Sequence, residues 1–259
     1  MVNDQVRSLG VNGRGGEELS STAELLAVEA SLIETATSSL ASMRGVVEPA
    51  ITDGVLAERP GIAGEQAEMV RLLTSRGNGV DIVVGKAGAG KTYALDAARS
   101  SWQLAGFRVR GTALAARAAA ELEAGAGIAS STLARLKGEL EQGRLILGPE
   151  DLVVVDEAGM VGTRDLHFVV ESVVNAGGKI VLTGDPRQLP EIEAGGGLRS
   201  LAMRIGAFEL KENRRQAEAW ERAALDELGS GDVGLALVAY GQHERFTCST
   251  APKRPGAQW

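Results

Sequence analysis

Apolar positions in this chain recur with two different periods, and the alternation between them predicts the architecture. From residue 21 onward the spacing is helical: Ser21 or Thr22, with Glu24, forms a capping arrangement ahead of Leu25, Leu26, Val28, Leu32 and Ile33. That helix is expected to run to about Met43, with a second over 48–58 before Pro60 breaks the chain, and a third over 64–75. Strands are then expected over 80–84, 107–111, 152–156, 179–183 and 207–210, and the continuous apolar runs at 152–155 and 180–182 are the mark of strands buried on both faces. Between them lie helical stretches over 91–105, 113–124, 132–142 and 163–176, followed by 217–228 and 233–240. Strand–helix alternation of this kind predicts an α/β fold, a mostly parallel sheet with helices on both faces, behind an α-helical N-terminal segment. Residues 1–20, polar and Gly-rich, are expected to be disordered, as is the tail over 246–259, which has no periodicity. The domain boundaries follow: 1–20 disordered, 21–62 helical, 63–245 the α/β domain, 246–259 tail. No internal repeat is visible.

The strand over 80–84 ends in Gly85-Lys86-Ala87-Gly88-Ala89-Gly90-Lys91-Thr92, which fits G-x-x-x-x-G-K-[ST] and opens a helix. That context turns a pattern into a phosphate-binding loop. Glycines let successive N–H groups turn toward phosphate oxygens, and the helix N-terminus adds its positive end. Lys91 is expected to reach the β- and γ-phosphates, and Thr92 to offer its hydroxyl to Mg²⁺. Tyr93, next in line, joins the ATP-binding set. A Gly-rich turn would be the bland alternative, but it does not call for the strand before and the helix after.

A second apolar strand, Val153-Val154-Val155, ends in Asp156-Glu157. In an open α/β sheet this is the ligand edge. Asp156 suits Mg²⁺ through its water shell, and Glu157 suits the proton of an attacking water. A charged turn after a strand is common, so the pair takes its meaning from the phosphate loop. Gly184-Asp185-Pro186-Arg187-Gln188-Leu189-Pro190 follows a third strand, where Gln188 is expected to sense the γ-phosphate; such loops are also ordinary turns. Arg214-Arg215 in Glu212–Gln216 offers a fork for phosphate oxygens or, equally, a solvated salt-bridge face.

Composition narrows the classes. The chain has 259 residues, 44% hydrophobic but only 3% aromatic, so its core must be aliphatic. The net charge of -7 gives no overall pull toward nucleic acid, and any such contact must be local. The single cysteine, Cys248, excludes an intrachain disulfide and fits a reducing compartment. No apolar run reaches the roughly 18 residues of a membrane helix, and no signal-peptide stretch opens the chain; a cytoplasmic protein is expected.

Phosphate loop, D-E-A, G-D-P-R-Q-L-P and N-R-R-Q occur in the order and rough spacing of superfamily 1 DNA helicases. The chain resembles the RecD-like group, and within it GKAGAGKT, VVVDEAGMV, LTGDPRQLPEIEAGG and LKENRRQ resemble the helicase part of MobF/TraA-type conjugative relaxases. The resemblance covers roughly residues 22–243. It implies a RecA-like ATPase with ATP and Mg²⁺ as cofactors and single-stranded DNA as partner, moving 5′ to 3′. It also implies roles. Gln66 matches the glutamine that reads adenine; Gly85, Ala87, Gly88, Ala89, Gly90, Lys91 and Thr92 the phosphate loop; Asp156 and Glu157 the metal ligand and base. Gln188 matches the γ-phosphate contact, Arg215 the first-domain arginine, and Thr112 and Thr132 segments that touch the DNA backbone. Arg117 and Arg135 are weaker additions, since an arginine on a helix surface is usually just solvated.

Such helicases hold ATP and DNA between two motor domains, and the pattern here covers the first. A chain carrying the second domain is therefore an implied partner, and ATPase by this chain alone is expected to be weak. Relaxase nicking needs a histidine cluster and a tyrosine, whereas His167, His243, Tyr93 and Tyr240 are scattered; nicking is not expected. The abrupt tail from Cys248 to Pro255 suggests a truncated gene, a frameshift or a fragment. Two rival readings stay open: a remnant that binds nucleotide or a partner without catalysis, and a P-loop kinase, for which no acceptor lid is visible.

Overall fold

The structure, a computed structural model, describes residues 6–11, 18–86, 88–185, 197–211, 220–221, 224, 227–228 and 233–243. The chain divides into two compact units, 1–212 and 213–259. The first opens with an antiparallel ribbon, β1 (Val6–Val11) paired with β2 (Glu18–Thr22), with a register shift between Ser8 and Gly10. Residues 6–11 and 18–20 are thus strands where disorder was expected, and the rest of 1–20 lies outside the described residues; Val6, Leu9, Val11 and Leu19 are strand-forming residues in a Gly-rich stretch.

Helix α1 (Ala23–Ser38) begins where expected, because the Thr22 hydroxyl accepts a hydrogen bond from the Leu25 N–H at 3.1 Å. It stops short of Met43, and the positive φ angles of Ala41 and Met43 show why the helical path is left there. Helices α2 (Pro49–Ala57), with proline in its first turn, and α3 (Gly64–Ser75) follow.

A six-stranded sheet comes next: β3 (Val80–Gly85), β4 (Arg108–Ala113), β5 (Ser130–Thr132), β6 (Asp151–Asp156), β7 (Lys179–Gly184) and β8 (Phe208–Leu210). Its order is β5-β4-β6-β7-β3-β8 and every neighbouring pair is parallel. Helices α4 (Lys91–Leu104), α5 (Ala116–Ala126), α6 (Leu133–Glu141), α7 (Thr163–Asn175) and α8 (Gly197–Ile205) connect the strands. Strand β4 continues through Ala113, so α5 begins three residues later than its alanine-rich sequence suggests. The three-residue β5 was not foreseen; Ser130, Ser131 and Thr132 carry no apolar pattern.

Because side chains of a strand alternate between faces, one run of valines feeds two cores. Leu152 and Val154 pack with Leu73, Leu95 and Trp102 from α3 and α4. Val153 and Val155 pack with Leu32, Leu166, Val170 and Leu201 from α1, α7 and α8. Trp102 is fully buried and its indole N–H donates to Gly45 O at 2.9 Å, so this buried aromatic is also satisfied as a donor.

A buried ion pair lies inside the sheet. Lys179 Nζ donates to Asp81 Oδ2 at 2.6 Å and to Asn78 O at 2.9 Å, at the edge of the sheet where β3 and β7 begin. This explains the lone aspartate in the apolar strand: it neutralises a buried ammonium, whose pKa burial nonetheless holds below the ordinary lysine value.

In the second unit α9 (Val233–Gln242) is helical as expected, and the described residues of the stretch 217–228 are helical too. Trp220 stacks on His243 with ring centroids 3.8 Å apart and meets Tyr240 edge-on at 5.5 Å. The tail over 246–259 lies outside the described residues. Among the described residues no helix is long and apolar enough to cross a membrane.

Candidate nucleotide site

Parallel strands bring their C-terminal ends to one edge, and that edge collects the chemistry. Strand β3 ends at Gly85, β6 at Asp156 and β7 at Gly184. In sheet order β7 lies between the other two, so the phosphate-loop strand and the Asp156 strand flank it on either side.

The loop turns through Gly88 and Gly90, with φ of 88° and 78°, a left-handed path that side chains other than glycine rarely take. Gly90 is the residue before α4, and a Cβ there would collide with Gln66 Nε2. Lys91 then starts the helix. Its Nζ donates to Gly85 O and, at 3.3 Å, to Lys86 O, so the ammonium folds back over the carbonyls of its own loop. Burial lowers the Lys91 pKa, while Asp185, Asp156 and Glu157, in that order, push it back upward. Those three carboxylates come from two different strand ends, and the Lys91 charge lies within the field of all of them. Thr92 is half-buried in the same first helical turn, and the more exposed Tyr93 has its hydroxyl beside Gly61, in the turn before α3. Ala89 is buried; Ala87 lies outside the described residues.

Gln66, 3% exposed, is held at both ends of its amide. Oε1 accepts from Ala63 N–H at 3.0 Å, closing the first turn of α3, and Nε2 donates to Gly90 O at 3.2 Å. The residue expected to read adenine therefore touches the phosphate loop directly.

Asp156 accepts two hydrogen bonds on Oδ1: from the Glu157 N–H at 2.9 Å and from the Thr183 hydroxyl at 2.5 Å. Glu157 has φ 53° and ψ 35°, a left-handed conformation unusual for a residue with a Cβ. Oxygen donors only, Thr92 and Asp156, suit Mg²⁺, which keeps several waters and takes ligands from phosphates. Among the described residues no group of three or more His, Cys, Asp or Glu forms a separate metal cage, and such a metal does not need one.

The expected DNA contacts fare differently. Thr112 is fully buried and its hydroxyl finds no hydrogen-bond partner, so its side chain is not offered to a strand and any contact of its segment falls to the main chain. Strand β5 pairs with β4 and makes it an interior strand. Thr132 accepts from Arg135 N–H at 3.3 Å as the cap of α6. Arg117 and Arg135 are exposed and paired within their own helices, to Glu121 at 2.8 Å and Glu139 at 2.9 Å. Gln188 and Arg215 lie outside the described residues. Thr183 was missed in the sequence, where it is one more polar residue closing an apolar strand; its partner is 27 positions away.

Against known proteins, residues 61–251 match the family model described as an AAA domain. The chain is similar to the "Conjugal transfer protein TraA" of Rhizobium radiobacter, 41% identical over 228 residues, covering 88% of this chain and 20% of that protein. It is 47% identical over 164 residues to the "Conjugal transfer protein TraA" of Agrobacterium fabrum, covering 63% of this chain and 15% of that protein. It is 32% identical over 163 residues to the "ATP-dependent RecD2 DNA helicase" of Deinococcus radiodurans, covering 61% of this chain and 22% of that protein. The chain thus spans about a fifth or less of the length of the curated relatives it matches first. The helicase motifs fall within the region matched by the family model, and the strands that lead to the phosphate loop and to Asp156 end on one edge of the parallel sheet. The chain belongs to this AAA-domain family, as a RecD-like superfamily 1 helicase motor domain close to those of TraA-type conjugal transfer proteins.

Proposed function

We propose that this chain binds Mg-ATP at the sheet edge and hydrolyses it, as the first of two motor domains of a 5′–3′ DNA helicase of conjugative transfer. The observation that carries the reading is the glycine turn through Gly88 and Gly90 that puts Lys91 at the start of α4, on the sheet edge where β6 ends in Asp156 and in reach of its charge. A cation surrounded by carboxylates at a helix N-terminus is arranged for a bound triphosphate and its metal.

Nucleotide entry exchanges partners. Lys91 leaves the carbonyls of Gly85 and Lys86 and turns to the phosphates. Asp156 and the Thr92 hydroxyl hold Mg²⁺, which when bound neutralises charge developing on the phosphates. Glu157 takes the proton of the attacking water. Gln66 serves the adenine side, Gln188 and Arg215 the γ-phosphate, as the resemblance implies. Single-stranded DNA contacts then rest on the main chain around Thr112 and on Thr132, and are weak in isolation and lost as salt rises. Translocation needs the second motor domain, so this chain alone is not expected to separate strands.

The test is ATP turnover by the purified chain with and without single-stranded DNA, beside Lys91→Ala. Turnover abolished in Lys91→Ala supports the reading. Equal nucleotide affinity in wild type and Lys91→Ala by calorimetry sinks it. Binding without turnover leaves a nucleotide-binding module and removes the catalytic half of the proposal.

A further inference from the structure

We propose that Thr183 is a positioning residue for the metal site: its hydroxyl, with the Glu157 N–H, locks the Asp156 carboxylate so that one oxygen is kept for the metal's shell. The inference rests on the reading that Asp156 serves Mg²⁺.

Thr183 closes β7, the strand between the phosphate loop and the Asp156 strand, and is opposite Val83 in the sheet register. It is fully buried. A buried threonine with a purely structural role satisfies its O–H on a nearby backbone carbonyl. The carbonyl within reach here, Val155 O, lies 3.4 Å away, whereas Asp156 Oδ1 lies at 2.5 Å. The donor is aimed at the carboxylate, where the hydrogen bond is charge-assisted and short. Oδ1 then has both of its usual acceptor positions used, by Thr183 and by the Glu157 N–H at 2.9 Å. Among the described residues both hydrogen bonds to this carboxylate fall on Oδ1. A carboxylate held twice on one oxygen cannot spin about its Cβ–Cγ bond, and its second oxygen keeps a fixed direction. Partners standing behind a metal-binding group in this way commonly govern metal affinity by 10- to 100-fold. The same arrangement joins three pieces of the site, because Thr183 leads through Gly184 to Asp185 while the Glu157 backbone is tied to the same oxygen of Asp156.

The experiment measures binding of a non-hydrolysable imido-bridged ATP analogue to the 259-residue chain by calorimetry, in EDTA and across a Mg²⁺ series. Thr183→Val removes the hydroxyl with nearly constant volume, Thr183→Ala removes it without a new methyl, and Thr183→Ser keeps it. The two variants lacking the hydroxyl are expected to need about tenfold or more Mg²⁺ for the same affinity, with the EDTA affinity within about twofold of wild type. Thr183→Ser is expected to restore the wild-type Mg²⁺ dependence. With two hydroxyl-free variants, a folding failure of one, seen by thermal melting, leaves the other to decide. Wild-type Mg²⁺ dependence in the folded variant overturns the proposal, as does an equal loss of affinity with and without Mg²⁺. Asp156→Asn separates the two levels. If it keeps the Mg²⁺ dependence, the metal assignment fails and this inference with it; if only it loses that dependence, Thr183 alone is wrongly assigned.

Discussion

Glu157 combines an uncommon backbone conformation with the chemistry expected of it. At φ 53° and ψ 35° a residue with a Cβ carries about 1–2 kcal/mol of local strain. The turn into the short helix at Ala158–Met160 and the hydrogen bond from its N–H to Asp156 hold it there. Strain and function separate by substitution. Glu157→Gln keeps the strain and the size but cannot accept a proton, so ATP turnover is expected to fall by about 10²-fold while analogue binding and the unfolding midpoint stay put. Glu157→Gly relieves the strain, so the protein is expected to be as stable or up to about 1 kcal/mol more stable in urea while turnover is lost. A Gln variant hydrolysing ATP at the wild-type rate refutes the base assignment, and a clearly destabilised Gly variant refutes the account of the backbone.

Among elements, β3 and β7 are joined where they begin by a buried polar pair. At the far end from the nucleotide edge Lys179 and Asp81 form a buried pair at 2.6 Å, with Asn78 bridging Asp81 to the α1–α2 connection through Ala41 N–H. Removing one partner strands a charge out of water. Asp81→Ala is expected to cost about 3–5 kcal/mol in chemical denaturation. The double variant Asp81→Leu with Lys179→Met, which leaves no charge, is expected to recover most of that loss. Equal destabilisation by the single and double variants would show that packing at these positions, rather than the pair, holds the strands. On α4 a second cluster does comparable work nearer the surface: Asp96 accepts from Arg59 at 2.8 Å and from Arg99, which also reaches Ala126 O at 2.9 Å. One carboxylate thereby fastens the loop after α2 and the end of α5 to the helix that opens the phosphate loop.

For the whole molecule, acid is the expected weak point. Burial opposes charge on Asp96, but hydrogen bonds from Arg99 and Arg59 outweigh it and hold the pKa below the usual carboxylate value. Asp151 behaves alike: burial opposes its charge, and Arg108 with the Gly148 N–H prevails. A carboxylate with a depressed folded pKa adds stability that is complete above the unfolded value near about 4 and is lost as pH falls through the folded one. Urea midpoints are therefore expected to be flat on the acid side down to about pH 4 and to drop below it. Asp96→Asn and Asp151→Asn are each expected to lose about 1–2 kcal/mol at pH 7 and to narrow the gap between pH 7 and pH 3. A gap unchanged in both variants would assign acid lability to other groups. At this scale the net charge of -7 also bears on partners: affinity for single-stranded DNA, measured by fluorescence anisotropy, is expected to be weak and to fall steeply with salt.

Runs such as Val153–Val155 and the glycines at 88 and 90 were enough to predict buried parallel strands and a phosphate loop. Both are local consequences of side-chain period and backbone freedom. The motif order likewise carried the family, since each motif is a short contiguous piece of chain. The capping of α1 by Thr22 was local too, and so was foreseen. What failed had a partner far along the chain. Strand β5 exists because β4 offers it an edge, and the burial of the Thr112 side chain on β4 likewise comes only with the fold. Asp81 in an apolar strand makes sense only with Lys179, 98 positions later, and Thr183 only with Asp156. The ribbon of β1 and β2 needed a pairing across a Gly-rich connection. The sequence by itself therefore determined most of the helices, the apolar strands of the sheet, the loop and the family. Tertiary structure decided which polar groups lie buried and what each one holds, because the free energy of a buried polar group depends on the partner that folding brings to it.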